Sequence, residues 1–246
     1  KKSMLTIEWE TTLIIFLSSI FEGAIGFDFA LLAVPSLGAL IGIKTSIIFL
    51  AIPNLLLMLL RSLYVGISLT SIKRYLPFVG AGSLGTILGV ISFVTFPSSF
   101  IKFFVGFIII LLAIHSISKL RIHLDMRDEI FFTYFAGFFG GWFSGISYTG
   151  SALCVMFLDS LGIKKIELIK ILYITTLFFS IVQIGALSGM GQFSKEIIIE
   201  SSIGIIPAIA GFFVGRQLIK FIPSRIFYGC AIVVMISSAI LLVIGK

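Results

Sequence analysis

Charge is scarce in this sequence. Asp, Glu, Lys and Arg together make up 12% of the 246 residues, hydrophobic residues make up 59%, and 26 positions are Phe. A soluble domain is about half apolar and about a quarter charged, and a chain this short has no interior able to hide the surplus. A soluble protein is therefore excluded, and the bilayer is the solvent for most of the chain. Histidine is nearly missing: His115 and His123 are too few and too isolated for a metal cluster. The two cysteines, Cys154 and Cys230, lie in apolar runs, give no disulfide framework or zinc-type spacing, and read as small buried residues. No G-x-x-x-x-G-K-S/T stretch and no H-E-x-x-H stretch occurs, which argues against ATP drive from this chain and against a zinc peptidase. No cofactor is implied. The 18 Lys and Arg exceed the 11 Asp and Glu, but in a membrane chain that excess reports cytoplasmic loops and not nucleic acid. The opening KKSMLTIEWE runs into the first apolar stretch without a small-residue cleavage site, so that stretch reads as a retained span rather than a signal peptide.

What the chain does have is one apolar run after another. Spans are expected at 45–66, 74–95, 99–119, 166–188, 198–220 and 224–244, each long enough to cross about 30 Å of hydrocarbon at about 1.5 Å per residue. Two longer segments, 11–41 and 129–161, are interrupted near the middle by glycine and polar residues. If each goes in and comes back as a hairpin of short helices, twelve Lys and Arg fall on one face of the membrane and six on the other. If each crosses once, the split is ten against eight. The positive-inside rule favours the hairpins, in a multi-pass cell-membrane protein with both termini extracytoplasmic. The mixed-sign stretch SKLRIHLDMRDE reads as a solvated cytoplasmic linker.

The halves repeat. Gly42-Ile43-Lys44 recurs as Gly162-Ile163-Lys164, a shift of 120, with a Ser-Leu-Gly triplet near each. Gly85 and Gly89, followed by Pro97-Ser98, recur as Gly211 and Gly215, followed by Pro223-Ser224, a shift of 126. One G-x-x-x-G is common where membrane helices approach closely; two, each with Pro-Ser at the same distance, point to duplication. The expected fold is an all-α polytopic membrane protein of two inverted repeats, 1–122 and 123–246, each a broken, re-entrant-like helical hairpin plus three transmembrane helices. Inverted repeats are the architecture of many secondary transporters, which place their substrate at paired helix breaks.

Non-helical backbone at membrane depth survives only inside protein or beside a water-filled cavity. The expected site is therefore built from two breaks. The first supplies Gly23, Gly26 and Asp28; the second, GGWFSGISYTGSALC, supplies Gly145, Ser147, Tyr148, Thr149, Gly150 and Ser151. A helix beginning after each break aims free N–H groups and partial positive charge at the cavity, and hydroxyls add neutral donors. That chemistry suits a small anion. Asn54, just after Pro53, and Thr175 in the second half are further lining residues, with Tyr173, Thr176 and Gln183 behind them. The plainer alternative is that the glycines only allow close packing and the hydroxyls bond back to their own helices. Glu22 and Asp28 are ionisable groups in a membrane segment, functional candidates by default, and each is a candidate proton carrier; the alternative is that they cap a helix. Arg61, at the end of its span, is expected to snorkel. Trp9 and Trp142 read as interface anchors, with Trp142 also placed to wall a cavity, and Asp159 reads as the end of a short helix.

A glycine-rich break, a following Pro, a Leu-Gly turn and a second such copy past a charged linker resemble the sulfite exporter TauE/SafE family. The family's break reads like G-x-G-G-G followed by apolar residues and Pro. Here Gly26 and Pro35 match, while Asp28, Phe29 and Ala30 replace the central glycines. In the second copy Gly145 and Gly150 match, and Val155 stands where Pro is expected. The resemblance implies a carrier of sulfite, sulfonates or other sulfur-containing organic anions, driven by an ion gradient. The partners implied are a small-molecule anion and the lipid bilayer, not nucleic acid, and nothing in the sequence sets an oligomeric state. The competing readings are an anion channel or passive pore, an intramembrane enzyme, for which no His lies near the breaks, and a membrane scaffold.

Overall fold

The computed structural model describes residues 9–26, 28–66, 75–118, 129–160 and 165–244. The expected linker 118–129 (apart from its two helical end residues), the boundary at 122/123 and the turn Gly162-Ile163-Lys164 lie outside them. Among the described residues the chain is helical, with no strand. The helices are α1 (Trp9–Ile25), α2 (Phe29–Ile41), α3 (Ile43–Val65), α4 (Leu76–Thr95), α5 (Ser98–Ser118), α6 (Glu129–Ser147), α7 (Gly150–Ser160), α8 (Lys165–Gly189), α9 (Lys195–Ile203), α10 (Ile205–Leu218) and α11 (Ser224–Ile244). Four stretches, Ile43–Val65, Leu76–Thr95, Ile166–Gly189 and Lys195–Leu218, are long and apolar enough to cross a membrane.

Both long segments are broken, as their composition predicts. Residues 11–41 become α1 and α2, and 129–161 become α6 and α7. The breaks are narrower than the polar stretches suggest: the described non-helical residues are Gly26 and Asp28 in the first and Tyr148 and Thr149 in the second. The expected span 198–220 differs from the sequence reading, because it is two helices, α9 and α10, meeting at Gly204. Pro207 has no N–H to give the Ile203 carbonyl, so the helix cannot run on unbroken there.

The chain forms two compact units, and each takes helices from both halves. One contains α1, α2, α3 to Leu57, α5 to Ala113, and α9 to α11; the other contains α3 from Met58, α4, α6, α7 and α8. In the first, α1 packs on α10, and α2 on α11, where the Ser36 and Ser238 hydroxyls meet at 2.9 Å. Ser201 of α9 donates to the Phe49 carbonyl of α3. In the second, α4 packs along α6, and α8 packs on α4 and α7. Its core joins Phe78 of α4, Cys154, Phe157 and Leu158 of α7, and Ile171, Leu172 and Phe179 of α8.

Each unit is closed by glycines pressed on carbonyls, and the contacts correspond. A Cβ at Gly85 would lie 2.0 Å from the Phe138 oxygen, at Gly89 2.3 Å from that of Trp142, and at Gly145 2.3 Å from that of Thr86. In the other unit a Cβ at Gly211 would lie 2.3 Å from the Phe16 oxygen, at Gly215 2.1 Å from that of Ile20, and at Gly23 2.0 Å from that of Phe212. Adding 126 to positions in α4 gives those in α10, and subtracting 122 from positions in α6 gives those in α1. In lipid, where no hydrophobic force draws helices together, such close backbone approach is what holds a pair.

Candidate functional sites at the two helix breaks

The first break starts where Gly26 takes φ 69, a left-handed conformation that glycine adopts without a Cβ penalty. Its N–H still bonds the Glu22 carbonyl at 2.9 Å. Asp28 then caps α2, its Oδ1 accepting from the Ala30 N–H at 3.1 Å. Glu22, seven residues back on α1, accepts from the Phe29 N–H. The first two N–H groups of α2 are thus both held by carboxyl oxygens of the protein itself, with Glu22 2% and Asp28 8% exposed. Negative groups at a helix N-terminus complement its partial positive charge, so both residues have the capping role that the sequence left open beside the functional one.

The second break has the same backbone and different chemistry. Tyr148 stands at φ 64, the one non-glycine residue among those described with positive φ, and its N–H bonds the Ser144 carbonyl at 2.9 Å. The shift of 122 matches Gly26 to Tyr148 and this bond to the one between Gly26 and Glu22. A bulky residue in this conformation is an outlier that its surroundings must hold in place; Tyr148 is buried. The Ser147 and Thr149 hydroxyls, both buried, meet at 2.9 Å just before α7. Gly150, the first residue of α7, lies so close to α6 that a Cβ there would sit 1.8 Å from the Gly140 oxygen. The Ser151 and Thr175 hydroxyls are buried and have no hydrogen-bond partner among the described residues. Gln183 of α8 is fully buried, donates from Nε2 to the Gly145 carbonyl at 3.2 Å, and leaves its Oε1 without a partner.

The expected lining residues sort by role. Gly23 and Gly145 lie inside α1 and α6, against Phe212 and Thr86, so helix packing accounts for them. Gly26, Asp28, Ser147, Tyr148, Thr149, Gly150 and Ser151 do stand at the breaks or in the first turn after them. Asn54 is buried in α3, in the first unit, and Thr175 is buried in α8, in the second. Thr176 bonds back to the Leu172 and Tyr173 carbonyls, the plainer of its two readings. Trp142 donates to the Ser92 hydroxyl at 3.1 Å and ties α6 to α4, while Trp9 is exposed. Asp159 is exposed at the end of α7, as expected.

Arg61 does not snorkel. It is 3% exposed, and its guanidinium lies over the Tyr173 ring at 3.9 Å from the centroid. The neighbouring Ser62 donates to the Tyr173 carbonyl at 3.2 Å. A weakly hydrated, delocalised cation on an aromatic face tolerates burial that an ammonium would not. The sequence held both residues, but nothing in it joined positions 61 and 173.

The family model described as Sulfite exporter TauE/SafE matches residues 11–242. Searches of curated proteins and of solved structures gave no match.

Proposed function

This chain belongs to the sulfite exporter TauE/SafE family, and from that premise we propose that it is a secondary transporter that moves a small anion, such as sulfite, a sulfonate or another sulfur-containing organic anion, by alternating access with proton coupling. The observation that carries this reading is the pair of helix breaks: two positive-φ turns 122 residues apart, each followed by a short helix. Paired breaks in matching places are where secondary transporters build their substrate and coupling-ion sites.

In this reading residues 1–122 and 123–246 are two inverted repeats, each a broken hairpin and three membrane helices, in a cell-membrane protein with both termini extracytoplasmic. The corresponding glycine contacts of α4 with α6 and α10 with α1 support the duplication. Gly26, Asp28 and Asn54 of the first half, and Ser147, Tyr148, Thr149, Gly150, Ser151 and Thr175 of the second, serve the substrate path. Glu22 and Asp28 carry the coupling proton. A charged acceptor makes the stronger hydrogen bond, so protonating Glu22 weakens its hold on the Phe29 N–H and loosens the first turn of α2.

The experiment is flux into proteoliposomes of the purified protein. Saturable sulfite uptake driven by a pH gradient, with counterflow of labelled anion, is the expected result. Uptake that neither saturates nor shows counterflow is the behaviour of a channel and would overturn the carrier reading.

A further inference from the structure

An α-helix leaves its last four carbonyls without an intrahelical donor. In α6 the ladder stops at Tyr148, whose N–H reaches the Ser144 carbonyl. The next carbonyl along, that of Gly145, is the first to lose its helical partner to the second break. It is not left without a donor. Gln183 of α8, 38 residues further on, donates to it from Nε2 across 3.2 Å. A carbonyl only accepts, so this contact fixes which end of the carboxamide faces α6.

The joint is enclosed. Gln183 is 0% exposed, and its Oε1 has no hydrogen-bond partner among the described residues. A buried carboxamide held by one bond costs more than an apolar side chain of the same size, and what it adds here is the bond to the break. Gly145 also presses on α4, where its Cβ would lie 2.3 Å from the Thr86 oxygen and 3.0 Å from the Gly89 Cα. The end of α6 is thus fixed by backbone contact with α4 and by a side-chain bond from α8, just before Ser147, Tyr148 and Thr149. The shift of 122 that relates the two breaks matches Gln183 to Arg61. Both α3 and α8 therefore carry a buried polar side chain at the same place, though Arg61 makes a different contact, with the Tyr173 ring.

We propose that Gln183 is a positioning residue for transport: from α8 it holds the end of α6, and with it Ser147, Tyr148 and Thr149, in the arrangement that binds substrate. This rests on the transport reading and adds to it a residue that does not touch the substrate. A site whose groups are already held in place binds at less cost than one that has to be ordered on binding. Without the bond from α8, the Gly145 carbonyl has to find another donor, and the break residues lose their fixed relation to α8. Gln183 therefore acts on the affinity for the transported anion. A side chain that served stability alone would change the amount of folded transporter, and so the maximal rate, and would leave KM as it is.

The test is sulfite flux into proteoliposomes of the wild type, Gln183→Met and Gln183→Glu, with the melting temperature of each taken in detergent. Methionine keeps the length and fills the space but cannot donate. The expected result for Gln183→Met is a KM raised at least about five-fold, the equivalent of about 1 kcal/mol, with the maximal rate per folded protein within about two-fold of wild type. Glutamate donates while its carboxyl is protonated and not when it is ionised. At the acid end of the pH range the KM of Gln183→Glu should therefore return towards that of the wild type at the same pH. Gln183→Leu, which also lacks a donor, serves if Gln183→Met does not fold. A wild-type KM in Gln183→Met with only the maximal rate lowered, or a KM for Gln183→Glu at low pH as high as that of Gln183→Met, would overturn this assignment and leave the transport reading intact. No saturable flux in the wild type would remove both.

Discussion

The carboxylate of Glu22, near the end of α1, accepts a hydrogen bond from the backbone N–H of Phe29, the first residue of α2. It bridges the first break from the side opposite to Asp28, which caps the same helix through Ala30. The start of α2 is thus held by two acidic side chains that are 2% and 8% exposed. In the proposed coupling, the group that bonds across the break is the one that takes up the proton.

Glu22→Gln keeps an oxygen that can accept from Phe29 and removes the titratable group. The expected outcome is a folded protein, with a melting temperature close to wild type, whose anion flux no longer follows the pH gradient. Glu22→Ala removes the acceptor altogether and should cost about 1–3 kcal/mol of stability. Flux that keeps its full pH dependence in Glu22→Gln and also in Asp28→Asn would end the coupling proposal.

The glycine contacts predict a sharp contrast. Gly89→Ala and Gly215→Ala each force a Cβ to within 2.3 Å and 2.1 Å of a carbonyl oxygen, and backbone cannot yield as a side chain can. Each should lower stability by about 1–3 kcal/mol or more and reduce the yield of folded protein. Gly185→Ala meets nothing within 4 Å and should be neutral or slightly stabilising, because glycine is a poor helix former. Thermal melting of the three variants side by side checks the claim.

Arg61 and Tyr173 should be energetically coupled. A double-mutant cycle with Arg61→Met and Tyr173→Leu is expected to give an interaction of about 2 kcal/mol, the range of a desolvated cation–π contact. Because Arg61 is buried and Tyr173 partly so, the coupling should change little between low and high salt. A coupling near zero would mean that the stacked geometry contributes nothing to stability.

At Gly26, φ 69 makes any side chain strained. Gly26→Ala should cost about 1–2 kcal/mol, read as a lower melting temperature. In the second copy the same conformation is borne by Tyr148, so Tyr148→Gly relieves backbone strain while losing the contacts of a buried ring. Its melting temperature should fall, since burying a large aromatic contributes more than the strain removes. A rise would show that strain dominates there.

Much of this molecule is legible in the sequence. Apolar run lengths located α3, α4, α5, α8 and α11 to within a few residues, because a bilayer admits few ways of satisfying backbone polar groups. Glycine and polar residues inside two long runs located both breaks, since such residues are costly in hydrocarbon unless the helix stops. The repeated Gly-x-x-x-Gly spacing marked the faces along which α4 and α10 are packed. The extent of the breaks was not legible. Gly140, Gly141 and Gly145 look like loop residues in one dimension and are helical, each pressed against backbone or a neighbouring side chain.

The sequence by itself determined that the chain lives in a membrane, that two of its segments cannot be continuous helices, and that the same glycine and Pro-Ser spacing occurs in both halves, since each follows from hydropathy, local backbone preference and spacing. Tertiary structure decided which helices meet. It set α1 on α10 and α6 on α4 and laid Arg61 over Tyr173. Those outcomes join positions up to about two hundred residues apart, and no local preference encodes a contact whose other member lies on a distant helix.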